Sequence, residues 1–310
     1  LEDFGALTGL AFALVAVRTP VARSVEIVDC GTRPDLDTEV VVPVPDMTRP
    51  SVDAVAAPPM KQGGGGWLTR LANPSVFLGY SSRILPWLTA AAIAAIAIGI
   101  WMGFAAPEDY QQGKTVRIMY IHVPFAWLSM MCWTVMSLSA LGTLVWRHPL
   151  ADVSVKAAAP IGAAFTFLAL LTGSLWGKPM WGTWWVWDAR LTSVFILFLM
   201  YLGVIALSRA IEDQGQAARA VAILVLVGFI NIPVIKFSVD WWNTLHQPAA
   251  VMRLDGPTIH PSLLWPLLIS AIGFSLLFFA LHMAAMRNEI LSRRVVAMRR
   301  IAARSGQAGA

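Results

Sequence analysis

The chain has 310 residues, of which 57% are hydrophobic and only 13% are charged. This composition excludes an ordinary water-soluble domain and indicates an integral membrane protein. The isoelectric point of about 9.6 reflects basic residues at predicted helix ends and in a short tail. It therefore does not indicate nucleic-acid binding.

Residues 1–59 differ from the rest of the chain. They are rich in Pro, Val and Asp without a sustained period, and their one apolar run, FGALTGLAFALVAV, is short for a membrane span. We interpret them as a disordered or mis-annotated N-terminal extension. Met60, Lys61 and the glycines at 63–66 form a natural start for the folded part. The predicted divisions are this extension, a membrane domain over 60–285 and a basic cytoplasmic tail over 286–310.

Six apolar runs after residue 85 reach the length of about 18 residues that a helix needs to cross the hydrocarbon core. The sequence thus predicts an all-α polytopic membrane protein with six transmembrane helices. The predicted spans are about 86–106, 122–146, 160–178, 190–208, 219–237 and 262–284. None has a charged residue near its middle, which argues against an ion-coupled transporter.

Basic residues in the short connections predict the orientation. One side carries Lys61, Arg70, Arg83, Arg147, Lys156, Arg209, Arg219, Arg287, Arg293, Arg294, Arg299, Arg300 and Arg304. The other side carries only Lys114, Arg117, Lys178, Arg190, Lys236 and Arg253. Both termini are therefore expected in the cytoplasm, with three loops on the outer face.

Cys132 is expected to be a small apolar residue inside the second span. The residues expected to serve close packing or kinks within the spans are Gly162, Gly173, Gly228, Pro160 and Pro233.

The middle outer loop contains WGTWWVWD at 181–188, and with Trp176 it places five tryptophans within twelve residues. This density exceeds what an interfacial aromatic belt explains. The spacing of Trp181, Trp184 and Trp185 predicts a short interfacial helix with all three on one face, and Gly182 allows close approach. Such a shelf, together with Trp187, suits a large flat apolar ligand, and haem is one.

Three histidines fall on the outer side: His122, His246 and His260. Neutral imidazole is an axial ligand of haem iron, and two histidines from separate loops can bind opposite faces of a porphyrin. His122 lies between apolar residues, and His246 follows a second tryptophan pair in WWNTLHQP at 241–248. These two are the predicted metal ligands, and His260 is held in reserve.

Two charged residues at the end of the tryptophan motif, Asp188 and Arg190, have more than one possible role. Asp188 is a candidate cap of the fourth span, and capping does not exclude a further role in orienting the loop that binds the cofactor. Arg190 is a partner of Asp188, an interfacial anchor or a cation for a haem propionate. The sequence leaves these three open.

The motifs WGTWWVWDARLTS at 181–193, YIHVPFAW at 120–127 and WWNTLHQP at 241–248 closely resemble those of the haem exporter protein C family, CcmC, of bacterial cytochrome c maturation. The resemblance spans roughly residues 60–290. It implies a protein of the bacterial inner membrane, not an enzyme, that presents haem b at the periplasmic face. The tryptophan loop would bind it, and one histidine in each flanking loop, here His122 and His246, would supply an axial ligand to the transiently held iron.

The resemblance also implies partners. The haem would pass to the haem chaperone CcmE, and an ATP-binding cassette assembly would hydrolyse nucleotide. The absence of a GxxxxGK[ST] motif from this chain agrees with that division of labour.

Three other functions remain open from the sequence. A permease subunit whose loops only dock partners predicts that neither histidine matters for bound haem. An aromatic cage for a quaternary ammonium solute needs no imidazole, so the paired histidines disfavour it. A purely structural scaffold leaves the tryptophan density unexplained.

Overall fold

The computed structural model describes residues 73–247, 250–251, 253 and 255–308, without the side chains of 304–308. The predictions for residues 1–59, for the start at Met60 and for the basic residues Lys61 and Arg70 lie outside this part. The described part contains seven α-helices and one short 3-10 helix, and no strand. They are α1 (Pro74–Ala105), the 3-10 helix (Lys114–Ile118), α2 (Met119–Leu144), α3 (Ala151–Trp181), α4 (Ala189–Ala210), α5 (Gln214–Gly228), α6 (Asn231–Trp241) and α7 (Pro261–Ala308).

Six stretches of these helices are long and apolar enough to cross a membrane, and α5 and α6 together form the fifth. This confirms the prediction of an all-α multi-pass membrane protein. The helices extend beyond the predicted apolar spans, because polar residues in the first and last turns also form the backbone hydrogen bonds of a helix. Thus α3 spans 151–181 where 160–178 was predicted, and α7 continues from the last predicted span to residue 308.

The fifth span is broken between α5 and α6. The amides of Phe229 and Ile230 donate to the carbonyls of Leu226 and Val227 at 3.2 and 3.3 Å. These bonds reach back three residues and so form tighter turns than those of an α-helix. Pro233 explains the break, because its ring clashes with the carbonyl four residues earlier and it has no amide proton. The interruption lies within one turn of Pro233, where a local kink was expected.

Helix α2 lies at the centre of the bundle and buries most of one long face against its neighbours. Cys132 is fully buried there, as expected. The ring of Tyr201 from α4 packs against Gly162 of α3, where a Cβ atom would overlap it. Its hydroxyl donates to the carbonyl of Ser129 at 2.7 Å. The small residue thus serves close helix packing, as the sequence predicts.

Helix α1 packs mainly on α7 at the edge of the bundle. A Cβ atom on Gly99 would lie 2.6 Å from the backbone nitrogen of Ser270, so the two helices approach closely there. The opposite face of α1 leaves Trp87 80% and Trp101 71% exposed, as expected of a surface in contact with lipid. At the far end Arg294 donates to the hydroxyl of Ser75 at 2.8 Å, so the start of α1 and the late part of α7 lie together.

Candidate functional site

The three predicted outer loops lie at one end of the bundle, which we call the loop end. They are the segments 106–118 between α1 and α2, 182–188 between α3 and α4, and 242–260 between α6 and α7. The first loop is tied to α3, since the indole nitrogen of Trp176 donates to the side-chain oxygen of Gln112 at 3.1 Å. All predicted site residues lie at or beside these loops.

The short helix predicted for the tryptophan loop is wrong. Trp181 is the last residue of α3, and Gly182 ends the helix with a left-handed backbone at φ +75° and an amide that donates to the Lys178 carbonyl at 3.0 Å. Glycine adopts this conformation without steric cost and is favoured after a helix end. Trp184 and Trp185 therefore follow in irregular chain, because the glycine stops the helix within the motif.

The loop tryptophans divide into exposed and half-buried side chains. Trp184 is 54% and Trp187 72% exposed, and the ammonium of Lys178 lies 5.9 Å from the Trp184 ring centre. Trp185 is half-buried and edge-on to Trp187, with ring centres 5.3 Å apart. The indole nitrogen of Trp185 is buried without a hydrogen-bond partner in the described part of the chain.

Asp188 caps α4, as predicted. Its Oδ1 accepts from the amide of Leu191 at 2.8 Å. The second oxygen, Oδ2, is buried and has no hydrogen-bond partner among the described residues. The loop therefore holds one buried unpaired donor, on Trp185, and one buried unpaired acceptor, on Asp188. Buried polar atoms without partners are uncommon and costly, so they call for an explanation.

Arg190 joins α4 to α6. Its Nε donates to the hydroxyl of Ser238 at 2.8 Å and its Nη2 to the carbonyl of Lys236 at 3.4 Å. The charges of Asp188 and Asp240 also act on the guanidinium. These two hydrogen bonds are a role that the sequence did not suggest, because Ser238 lies 48 positions away in the chain.

His122 lies in the first turn of α2 and is only 9% exposed. Its Nδ1 and the hydroxyl of Thr172 are 3.1 Å apart. The ring meets Trp176 edge-on, with centres 5.6 Å apart. Its contacts with α3 hold the imidazole against that helix, directly beneath the tryptophan loop.

His246 lies in the third loop and is half-buried. Its ring meets Trp181 edge-on, with centres 5.4 Å apart, and its amide donates to the Thr244 hydroxyl at 2.9 Å. Burial, and to a smaller extent the positive charge of Arg190, lower the pKa of His246 to about 4. The imidazole is therefore neutral at physiological pH, which is the form that binds iron.

The structure places His122 and His246 beside the same end of α3, since the ring of each meets a tryptophan there edge-on, Trp176 and Trp181 respectively. His260 is different: it is exposed at the start of α7, and its Nδ1 lies 2.8 Å from the hydroxyl of Ser262. In the described part of the chain no group of three or more His, Cys, Asp or Glu side chains is placed to hold a metal ion. The two imidazoles instead form a pair, each flanked by a tryptophan.

The sequence profile of the family described as Heme exporter protein C matches residues 67–301. The chain belongs to the heme exporter protein C family. The match covers α1 to α6, α7 as far as residue 301, and all three loops of the loop end. It agrees with the extent of the resemblance predicted from the motifs, and it leaves out residues 1–66.

Members of the heme exporter protein C family match at high identity. The chain is 69% identical over 228 residues to the protein of Bradyrhizobium diazoefficiens, which covers 74% of this chain and 87% of the relative. It is 49% identical over 225 residues to that of Escherichia coli, covering 72% and 91%. A ccmC-like mitochondrial protein of Marchantia polymorpha, named for cytochrome c biosynthesis, is 48% identical over 198 residues, covering 64% and 82%.

Proposed function

We propose that this protein binds haem b at the loop end and hands it on for the maturation of c-type cytochromes. Haem is cargo here, held through its iron for a short time. The observation that carries the proposal is the pair of imidazoles beside the end of α3, His122 from the first turn of α2 and His246 from the third loop. Membership of the heme exporter protein C family supports it.

The pair suits haem better than a bare metal ion. The porphyrin supplies four of the six iron ligands, so the protein needs only one or two axial donors. His246 is neutral over the physiological pH range, so no proton has to leave before it binds iron. The edge-on contacts of Trp176 with His122 and of Trp181 with His246 line the same region with apolar surface.

The tryptophan loop supplies the remaining groups. Trp181, Trp184, Trp185 and Trp187 offer apolar faces, and Gly182 allows the chain to turn close beside them. The unpaired indole N–H of Trp185 is suited to donate to a porphyrin carboxylate. Arg190 supplies positive charge at the start of α4. Asp188 fixes the end of the loop by accepting from the first turn of α4. Its second oxygen can accept from an N–H group when the haem-bound loop rearranges.

The exposure of Trp184 and Trp187 supports transfer rather than permanent storage. A porphyrin that rests against exposed rings keeps an edge open to a second protein. We propose that the second protein, which receives the haem, is the haem chaperone CcmE. We also propose that an ATP-binding cassette assembly works beside the present chain. In this proposal the protein lies in the bacterial inner membrane with the loop end facing the periplasm and both termini in the cytoplasm.

Absorption spectra of the detergent-purified protein test the proposal. Protein from haem-replete cells should show a low-spin six-coordinate spectrum, and His122→Ala and His246→Ala should each lose or alter it. His148→Ala is the matched control, because His148 lies between α2 and α3 at the opposite end, where its ring accepts from the amide of Leu150 at 3.3 Å. His260→Ala tests the reserve ligand and should leave the spectrum unchanged.

One result would overturn the proposal. If both histidine variants retain the parental haem content and spectrum, the loops serve another purpose. The docking surface of an exporter permease subunit would then be the better interpretation.

A further inference from the structure

The imidazole of His122 contacts three residues on one face of α3, Thr172, Gly173 and Trp176. The Thr172 hydroxyl lies 3.1 Å from its Nδ1. Gly173 lies against the ring, since a Cβ atom there would be 2.9 Å from His122 Cε1. Trp176, one turn further, meets the ring edge-on. Together these contacts fix both the position and the tilt of the imidazole.

The hydroxyl of Thr172 has a defined direction. Its oxygen lies 2.6 Å from the carbonyl of Leu168, which can only accept, so the single hydroxyl proton points there. The oxygen therefore offers a lone pair to His122, and the ring must donate from Nδ1.

We propose that Thr172 is the positioning residue of His122 in haem binding. By accepting from Nδ1–H it selects the tautomer in which Nε2 carries the free lone pair, and it holds the ring in one orientation. Iron then binds at Nε2. The inference rests on the proposed function for its consequence in haem binding, whereas the tautomer is a property of the haem-free protein.

The second histidine lacks this arrangement. Neither ring nitrogen of His246 hydrogen-bonds to a residue that the structure describes, and its defined ring contact is the edge of Trp181. The two imidazoles are therefore unequal: His122 is oriented before haem arrives. Groups that orient a metal-binding histidine in this way typically contribute 10 to 100-fold to metal affinity.

Two variants of Thr172 separate the hydroxyl from the side-chain volume. Thr172→Val keeps the shape and removes the acceptor, while Thr172→Ser keeps the acceptor. The matched control is Thr166→Val on the same helix, because the Thr166 hydroxyl donates to Gly162 at 2.7 Å and is fully buried. Thr172→Ala supplies a second hydroxyl-free variant if the valine protein does not assemble.

Two measurements are made on each variant. In haem-free protein labelled with ¹⁵N-histidine, NMR reports which ring nitrogen of His122 carries the proton, with His122→Ala assigning the signals. Haem titration followed by absorption then gives the affinity. We expect Nδ1–H in the parent, Thr172→Ser and Thr166→Val, a mixture of tautomers in Thr172→Val and Thr172→Ala, and haem affinity lowered about 10-fold in those two.

The outcomes are distinct. An unchanged tautomer in Thr172→Val and Thr172→Ala overturns the inference, and so does unchanged haem affinity in both when His122→Ala lowers it. If His122→Ala itself leaves haem binding intact, the proposed function fails, and the NMR spectrum still decides whether Thr172 sets the tautomer.

Discussion

The two ends of the bundle differ in how their polar groups are satisfied. At the end opposite the loops, Arg293 bonds to Asp152 at 2.7 Å and to Glu289 at 2.8 Å, and Lys156 bonds to Glu289 at 2.8 Å. Arg287 donates to the Leu78 carbonyl and the Ser81 hydroxyl, both at 2.8 Å. Helices α1, α3 and α7 are thus joined by a polar network in two parts, one between α3 and α7 and one between α1 and α7.

The loop half of the bundle contains all of the buried side-chain atoms without a partner in the described part of the chain. They are Tyr120 Oη, Trp185 Nε1, Asp188 Oδ2 and Ser270 Oγ. Unpaired buried groups cost stability, and natural proteins keep them mainly where a function uses them. One end thus pairs its polar side chains across helices, while the loop half leaves buried polar groups unpaired, which agrees with the haem-binding role proposed for it.

The largest effect is expected from the network. Arg293→Met removes two charge-assisted hydrogen bonds and should lower the free energy of unfolding by about 3 kcal/mol, while haem affinity stays unchanged. Thermal unfolding in detergent and haem titration measure the two quantities. Lys156→Met, which removes one exposed pair, should cost less than about 1 kcal/mol. A large loss of haem affinity in Arg293→Met would show that the two ends are not independent.

An effect of similar size, spread over the acid pH range, concerns the loop end. The pKa of His246 is about 4 in the folded protein, against about 6.5 in an unfolded chain. Because the unfolded state takes up the proton first, stability should be constant above pH 6.5 and fall between pH 6.5 and 4, by at most about 1.4 kcal/mol per pH unit. The difference between the parent and His246→Gln, measured by denaturation across this range, isolates the contribution. A parallel pH profile in the two proteins would contradict it.

Trp185→Phe should separate binding from stability. It removes a buried unpaired N–H, so the unfolding free energy should stay the same or rise slightly, while haem affinity falls about 10-fold, or about 1.4 kcal/mol. Trp133→Phe is the control, because the Trp133 indole donates to the Val225 carbonyl at 3.1 Å in the core. It should lower stability and leave haem affinity intact. If Trp185→Phe lowered stability and Trp133→Phe lowered haem affinity, the assignment of Trp185 to ligand binding and of Trp133 to the core would be wrong.

The smallest effect is expected at Asp188. Asp188→Ala loses the helix cap and should cost about 1 kcal/mol of stability. Asp188→Asn keeps a capping oxygen and should retain stability within about 0.5 kcal/mol, while haem affinity falls because the charge on the free oxygen is lost. Equal melting temperatures for the alanine and asparagine variants would show that the cap contributes little.

The fold was largely predictable because its signals are local. A long apolar run specifies a membrane helix whatever its neighbours are, Pro233 marked the break in the fifth span, and Asp188 stood at a recognisable cap position. The short helix of the tryptophan loop was wrongly predicted because the spacing of Trp181, Trp184 and Trp185 outweighed Gly182, a residue that ends helices.

The site was predictable only in part. His122 and His246 could be chosen from their loops and neighbours, but their proximity depends on how the helices pack. The hydrogen bond from His122 to Thr172 joins residues 50 positions apart, and a threonine inside an apolar span gives no sign of it. Ser238 as the partner of Arg190 was missed for the same reason.

The length of α7 has a consequence for the electrostatics of the chain. Arg293 pairs with the first turn of α3, and the helix continues for 15 residues to Ala308, about 22 Å at 1.5 Å per residue. Residues 295–303 of this arm are exposed. At physiological ionic strength a charge is screened within about 8 Å. The positive charges of Arg299 and Arg300 therefore act on ions and molecules in the adjoining solution, and they contribute little to holding the bundle together.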